Sequence, residues 1–222
     1  MSRLSPSRRP IATALLRAPL RLAALTALLS LAGCGLLPKN EPIALYRPEP
    51  RLAADPAWPN ADWQLQIARP GADAVTDSAR ILVRPRTGEL QVYKGAAWTQ
   101  PAPDIVLDAM MRAFTDSGRF AGIARRGEGV SPRYELLLDL RRFESDYAGD
   151  STPTVRIVVG ARLVHNVDNR IVATRLFEAG VPAEGTGVAH INRAFEQGLG
   201  EVSGAMVGWV LTEGGRNADQ GR

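Results

Sequence analysis

The sequence predicts an α+β fold: a two-layer α/β sandwich in which one mostly antiparallel mixed sheet carries two main helices on one face. Several segments alternate apolar and polar residues with period two, which is the pattern of half-buried strands. Two other segments space apolar residues three and four apart, which is the pattern of a helix with one apolar face. Two such helices can cover the apolar face of one sheet, so a sandwich is the simplest arrangement.

Short strands come first along the chain. Residues 63–67 alternate in this way, and Ile81 and Val83 do the same in a second strand. Residues 86–88, Arg-Thr-Gly, then predict a hairpin turn into a third strand at residues 90–92. Residues 43–46 fit either a short docked strand or a loop, and both interpretations stay open.

A first helix follows this hairpin. Pro101 and Pro103 precede Asp104, and the first turn of a helix tolerates proline and favours an acid. Its apolar stripe consists of Ile105, Leu107, Met110, Met111 and Phe114. Ser117 and Gly118 predict its end, and a short strand is expected at residues 120–124.

The longest strands and a second helix make up the rest. Strands are predicted near residues 134–141, 155–163 and 171–178, and the short links between them favour antiparallel neighbours. An apolar stripe from Val188 to Trp209 predicts the helix. Glycines in it cost up to about 1 kcal/mol each relative to alanine, but they would permit close approach to the sheet or to another subunit. These glycines are Gly198, Gly200, Gly204 and Gly208.

The N-terminal residues 1–33 predict a secretory signal rather than part of the fold. They contain five arginines, no acidic residue and an apolar run at residues 22–31 that is too short to be a good membrane span. Leu31, Ala32 and Gly33 stand directly before Cys34, the chain's one cysteine.

These four residues resemble a bacterial lipobox. The resemblance makes Leu31, Ala32 and Gly33 the signal-peptidase recognition residues and Cys34 the lipidated residue. An ordinary signal peptide that ends beside a cysteine is the alternative. Gly35, which follows the cysteine, resembles the signal for an outer-membrane destination.

The mature chain has a simple predicted organisation. Residues 34–60 are rich in proline and predict a tether, residues 61–213 one domain, and residues 214–222 a disordered polar tail. Without residues 1–33 the chain has 22 basic and 23 acidic residues, a net charge of −1, which removes the argument for nucleic acid as a partner. With Cys34 lipidated, no thiol remains for a disulfide or a metal.

No set of residues in the sequence predicts catalysis. His165 and His190 have no metal-binding or flanking carboxylate motif, so neither a metal nor any other cofactor is expected. Ser203 lies one place too late for a nucleophile elbow and falls within the helical stripe. Residues 185–187, Gly-Thr-Gly, lack the lysine and remaining glycines of a phosphate loop. We therefore expect a protein that is not an enzyme.

Three aromatic residues are the candidates for contact with a partner. Tyr93, Trp98 and Trp209 could form a partner interface, and the alternative is that they pack in the core or at a sheet edge.

Several stretches together resemble the ABC-type transport auxiliary lipoproteins, the family that contains the paraquat-inducible protein C lipoprotein. They follow the family's order over about 130 residues and consist of residues 78–83, 93–98 with Pro101 and Pro103, 114–118, 134–138, Phe143 with Glu144, and the last helix ending in Trp209. The family's pattern consists of apolar and aromatic positions, so no active-site residue is carried over.

The resemblance implies an accessory subunit of an ABC-driven intermembrane lipid transport system, anchored by acyl chains to the periplasmic face of the outer membrane of a Gram-negative bacterium. Its partner would be a periplasmic protein with MCE domains, and self-association stays open. Three alternatives remain: a direct lipid carrier, an assembly factor of the lipopolysaccharide-export type, and a hydrolase.

Overall fold

The computed structural model describes residues 42–220 of the chain. Leu31, Ala32, Gly33 and Cys34 therefore lie outside the described residues. Within residues 42–220, eight strands and two helices follow one another as β1 (Ala44–Tyr46), β2 (Ala61–Ile67), β3 (Arg80–Arg84), β4 (Gln91–Trp98), α1 (Ala102–Asp116), β5 (Phe120–Arg125), β6 (Tyr134–Asp146), β7 (Thr154–His165), β8 (Arg170–Pro182) and α2 (Val188–Gln220).

Strand β6 organises the sheet. One of its edges pairs antiparallel with β7, which pairs antiparallel with β8. Its other edge is shared end to end, because β2 pairs with its first residues and β3 with its last. Between them Gly71 bridges to β6: its N–H donates to the Leu138 carbonyl at 2.9 Å, and its own carbonyl accepts from the Leu140 N–H at 2.8 Å.

The sheet is mixed, and its long strands are antiparallel. The parallel pairs are β1 with β4, β2 with β5, β2 with β6 and β3 with β6. Strand β4 joins β3 to β1, so β1, β5 and β8 lie at the outer edges. Both helices cover one face of this sheet, and the predicted α+β sandwich is confirmed.

Alternating side chains of the long strands build the core beneath the helices. Leu136, Leu138 and Leu140 on β6 are buried against the helices, as the period-two pattern predicts. Helix α1 ends at Asp116, and Gly118 beyond it has a φ of +63°, the left-handed conformation that glycine adopts most readily.

Helix α2 is longer than the sequence predicts. It continues through Gln220, so residues 214–220, predicted as part of a disordered tail, are helical. The Tyr134 hydroxyl lies 3.1 Å from the Gly214 carbonyl and 3.0 Å from Asn217 Oδ1. A Cβ at Gly214 would lie 2.5 Å from the ring of Trp63. Contacts with the sheet therefore stabilise turns whose polar sequence favours fraying.

The predicted tether is docked on the domain from β1 onward. Strand β1 pairs with β4, which decides between the two interpretations of residues 43–46 in favour of a strand. Residues 49–58, which we call the strap, then lie along α2. The Cβ positions of Gly200 and Gly208 lie 2.9 Å from the Arg51 carbonyl oxygen and from Trp58 Nε1, and that of Gly204 lies 3.7 Å from Leu52 Cδ1.

Three glycines spaced four residues apart thus form one face of α2 that admits the strap. Gly198 faces the sheet instead, where its Cβ position lies 3.1 Å from Ile157 Cδ1. The close approach predicted for these glycines is therefore made to the sheet at Gly198 and to the chain's own N-terminal segment at the other three.

Candidate docking surfaces

The two tryptophans proposed for a partner interface belong to the core. Trp98 is 2% exposed and packs its ring against Phe195 at 5.0 Å, and Trp209 is 7% exposed and packs edge-on against Phe177 at 5.5 Å. The partner-facing interpretation is wrong for both, because β4 and the apolar stripe of α2 turn these rings inward. Trp209 lies three residues after Met206 in that stripe, so the spacing itself indicated burial.

Tyr93 is only half-buried. Its hydroxyl is hydrogen-bonded to Ser145 Oγ at 3.0 Å, and burial raises the pKa of the phenol above its ordinary value. The hydroxyl thereby connects β4 with β6. A role of this residue in partner contact stays a prediction.

The candidate catalytic residues do not meet. Ser203 lies inside α2, is 1% exposed, and its hydroxyl has no hydrogen-bond partner in the described part of the chain. His165 Nδ1 lies 2.8 Å from Asp168 Oδ1 at the turn between β7 and β8, and this hydrogen bond lowers the pKa of Asp168. The pair is a local turn contact.

His190 is also engaged locally. Its ring lies beside Gly185 and Gly187, and its Nδ1 is 3.4 Å from Glu184 Oε2. Arg193 Nη2 donates to the same oxygen at 3.0 Å, and these bonds, that from Arg193 first, lower the pKa of Glu184. The polar side chains around the glycine loop before α2 are thus bonded to one another. Within residues 42–220 no group of three histidines, cysteines or acids could hold a metal ion.

The helix-free face of the sheet carries charges that pair with one another. Arg84 Nε donates to Glu144 Oε1 at 2.9 Å, Arg142 Nε donates to the same oxygen at 2.7 Å, and Arg142 Nη2 donates to Asp146 Oδ2 at 2.7 Å. The hydrogen bond with Glu144 raises the pKa of Arg84. Because both signs are present and paired around Glu144, this part of the face agrees with the predicted solvated face and offers no excess charge to an ionic ligand.

A surface hollow of about 690 Å³ lies between the strap and α2, and its lining includes the charged residues Glu49, Arg51, Arg193, Glu196 and Glu201. Ligand sites for apolar molecules are lined mainly by apolar and aromatic side chains. The lining of this hollow therefore does not favour an acyl chain as its ligand.

The outer strands β1 and β8 lie on opposite sides of the sheet and differ in length. Along the path that joins these two edges, the strand order is β1, β4, β3, β6, β7, β8, and β2 and β5 lie on a separate branch from β6. Strand β1 has three residues, whereas β8 has 13 and has no partner on its outer edge in the described range. A long open edge presents unpaired backbone N–H and C=O groups, which is the usual template for adding another strand.

The apolar side chains of β8 are of two kinds, buried and exposed. Phe177, Ala179 and Val181 are buried and fasten the strand to the core, whereas Ile171 and Leu176 are exposed. Its buried side chains therefore attach the edge to the core, and its exposed apolar side chains lie beside open hydrogen-bonding groups. Strand addition combines main-chain hydrogen bonds with side-chain contacts of this kind.

A family model described as ABC-type transport auxiliary lipoprotein component matches residues 44–207. The chain belongs to this family. The match begins at β1, which agrees with the observation that residues 44–60 pack on the domain and do not form a free tether.

Similar proteins have been found among solved structures and curated sequences. The structure of XCC0632 from Xanthomonas campestris is 46% identical, with a TM-score of 0.77, and the match covers 79% of this chain and 99% of that one. A second solved structure, of an uncharacterized protein, shares the fold with a TM-score of 0.60 at 12% identity, over 75% of this chain and 97% of its own.

A curated relative is protein bll6063 of Bradyrhizobium diazoefficiens, which is 26% identical over 156 residues. The match covers 70% of this chain and 41% of that protein, so the chain spans about two fifths of the length of this relative. Neither helix in residues 42–220 has the length and hydropathy that a membrane span requires.

Proposed function

We propose that this auxiliary lipoprotein is a non-enzymatic docking subunit of an ABC-driven intermembrane lipid transport system. In this proposal Cys34 carries the acyl chains that hold the chain on the periplasmic face of the outer membrane. The domain then binds a periplasmic MCE protein that bridges the two membranes. Membership of the family supports the transport role, and phospholipid is the expected cargo of the system.

The observation that carries the docking role is the position of the open β8 edge. The N-terminal end of the described residues enters the sheet at β1, and β8 lies at the opposite edge. An adaptor needs this separation, because a partner can then be bound without competing with the membrane for the same surface. We assign the β8 edge as the partner contact.

A direct lipid carrier is less well supported. A carrier must shield an acyl chain from water, which requires an apolar cavity. The hollow between the strap and α2 is lined by charged side chains, and the core beneath the helices is filled by interlocking rings such as Phe143 and Phe195, whose centroids are 4.5 Å apart.

The anchor is tested by metabolic labelling. Cells expressing the full chain are grown with labelled palmitate, and a Cys34→Ala variant serves as the control. We expect label on the wild-type chain and none on the variant. A wild-type chain without label would remove the membrane anchor from the proposal.

The partner is tested by purification from membranes. The full acylated chain is solubilised in mild detergent, isolated through an affinity tag, and its companions are identified by mass spectrometry. The test variant replaces Ile171 and Leu176 on β8 by lysine. The control is Val130→Lys, because Val130 is 45% exposed, similar to 44% for Leu176, but lies outside the strands.

We expect the wild type and the control to recover an MCE protein, and the β8 variant to recover at least about tenfold less, since charge on an edge strand opposes strand addition. Recovery of lipopolysaccharide-export proteins instead would favour the assembly-factor alternative. Equal recovery of an MCE protein by all three chains would show that the β8 edge is not the contact.

A further inference from the structure

The helix-free side of the sheet has an apolar patch at its β1 edge. Leu45 on β1 pairs with Ala97 of β4, and Ala97 pairs with Arg80 of β3. Val92 pairs with Leu82 in the same way. Paired residues of neighbouring strands point to the same face, and residues two apart along a strand share a face.

Ile81 lies in the core beneath the helices, so Arg80 and Leu82 point to the opposite face, and Leu45 and Val92 point there with them. Leu45 is 65% exposed, Val92 is 45% exposed, and Ile43, which directly precedes β1, is exposed as well. We call Ile43, Leu45 and Val92 the β1 patch.

Cationic side chains flank the β1 patch. Arg80 lies in the same row as Leu45, and Lys94 follows Val92 by two residues on β4. Both are exposed, and within residues 42–220 neither forms an ion pair with an acid. Exposed aliphatic side chains beside lysine and arginine are typical of surfaces that lie at the headgroup level of a membrane with anionic lipids.

The length of chain before the patch determines how far it can be from the anchor. Nine residues, 35–43, separate Cys34 from the first residue of β1. At full extension they reach roughly 30 Å, whereas a free tether up to Asn60 would reach nearly three times as far. Because β1 and the strap are docked, the β1 patch is the part of the described domain that follows most directly from the lipid anchor.

We propose that the β1 patch rests on the phospholipid leaflet that holds the acyl chains, with the aliphatic side chains at the headgroup boundary and Arg80 and Lys94 on anionic headgroups. This inference rests on the proposed function, because it requires an acylated Cys34. The contact adds little affinity by itself, but the anchor keeps it at high local concentration, so a weak surface is enough to orient the domain. The β8 edge, at the other end of this strand order, then lies outside the contact.

The experiment uses the acylated full chain, whose one natural cysteine is the lipidated one. Four variants each carry a single new thiol: Leu45→Cys and Val92→Cys in the patch, Leu176→Cys on β8 and Val130→Cys in a loop. Val92 and Val130 are both 45% exposed, so they form a matched pair. Each chain is labelled with a small environment-sensitive fluorophore and inserted into vesicles of phosphatidylethanolamine and phosphatidylglycerol.

Quenching by lipids brominated near the headgroup reports contact with the membrane, and aqueous iodide reports exposure to water. We expect the brominated lipids to lower the fluorescence of probes at positions 45 and 92 at least about twofold, as for a face buried at the headgroup boundary. The fluorescence of probes at positions 130 and 176 should change little. Replacing phosphatidylglycerol by phosphatidylcholine should weaken the quenching at 45 and 92. Lipid quenching at 45 and 92 no greater than at 130 would overturn the inference.

Intact mass and partner recovery separate this result from the proposed function. A chain that carries acyl chains and recovers its MCE partner, but shows no quenching at 45 and 92, disproves only the orientation of the domain. A chain without acyl chains disproves both the anchor and the patch.

Discussion

The strands β1 and β8 lie at opposite edges of the same sheet, and different contacts hold each of them there. Strand β8 pairs with β7 from Pro182 to Arg170, and alternate side chains are buried beneath α2. Strand β1 pairs through three residues only, and the strap that follows lies on a glycine face of α2. Strand β8 is therefore part of the core, whereas β1 and the strap are added to its surface.

The largest expected difference in stability is between removal of a tryptophan on the β8 side and removal of one in the strap. Trp209→Ala removes a buried ring that packs on Phe177 of β8, and it should lower the free energy of unfolding by about 3–5 kcal/mol. Trp58→Ala removes a half-buried strap residue and should cost only about 1 kcal/mol. Urea denaturation of the two variants measures the contrast, and equal losses would show that the strap is as firmly packed as the β8 side.

Two glycines of α2 differ in whether the strap lies against them. A Cβ at Gly200 would lie 2.9 Å from the Arg51 carbonyl oxygen, whereas nothing lies within 4 Å of a Cβ at Gly215. Gly200→Ala should therefore displace the strap and speed trypsin cleavage after Arg51 about fivefold or more, because locally opened segments are the ones that proteases cut.

Gly215→Ala is the matched control. It should leave the cleavage rate unchanged and raise stability by up to about 1 kcal/mol through helix propensity. An unchanged cleavage rate in the Gly200 variant would mean that the strap is not seated on this glycine face.

A smaller loss of stability is expected when the hydrogen bond between β4 and β6 is removed. Tyr93→Phe removes the hydroxyl that is bonded to Ser145 Oγ and should lower the free energy of unfolding by about 1 kcal/mol. If Tyr93 only supports β4, recovery of the partner stays at the wild-type level. A large loss of partner with unchanged stability would instead place Tyr93 in the interface.

The smallest effect concerns exposed ion pairs near the start of β3. Arg69 Nη2 donates to Asp77 Oδ1 at 2.7 Å, and Arg69 Nε donates to Asp104 Oδ1 at 2.7 Å. The hydrogen bond from Arg69 lowers the pKa of Asp77 below its ordinary value. A carboxyl whose pKa is lower in the folded state contributes stability above its unfolded pKa and loses that contribution as the pH falls through the folded value.

Arg69→Met should therefore lower the melting temperature slightly at pH 7, since exposed pairs contribute little. The difference from the wild type should shrink as the pH falls below about 4 and toward the lowered pKa of Asp77, where that carboxyl becomes protonated. Melting curves from pH 7 to 3 test this, and a difference that grows toward low pH would contradict the assignment.

The β8 side of the fold could be predicted from the sequence far better than the β1 side. Strands β6, β7 and β8 are long and alternate cleanly, and short turns join them, so both their existence and their pairing follow from local patterns. No local signal shows that β2 and β3 share one edge of β6, because both pairings are parallel and join residues distant in sequence.

The strap and the end of α2 cannot be predicted from the sequence for a related reason. A stripe of small residues permits close packing without specifying what packs there, so Gly200, Gly204 and Gly208 could not reveal the strap. The polar residues 214–220 look like a tail until Tyr134 and Trp63 are known to lie against them. Trp209 could have been assigned to the core from its spacing, but the strand order that makes β8 an edge cannot be read from the chain.

The most direct test of the account places one photo-crosslinking residue in the full chain in living cells, at position 176 on β8 or at position 45 on β1. We predict that position 176 captures an MCE protein, whereas position 45 captures phospholipid and no such protein. Capture of the MCE protein from position 45 with none from position 176 would contradict the assignment of the two edges.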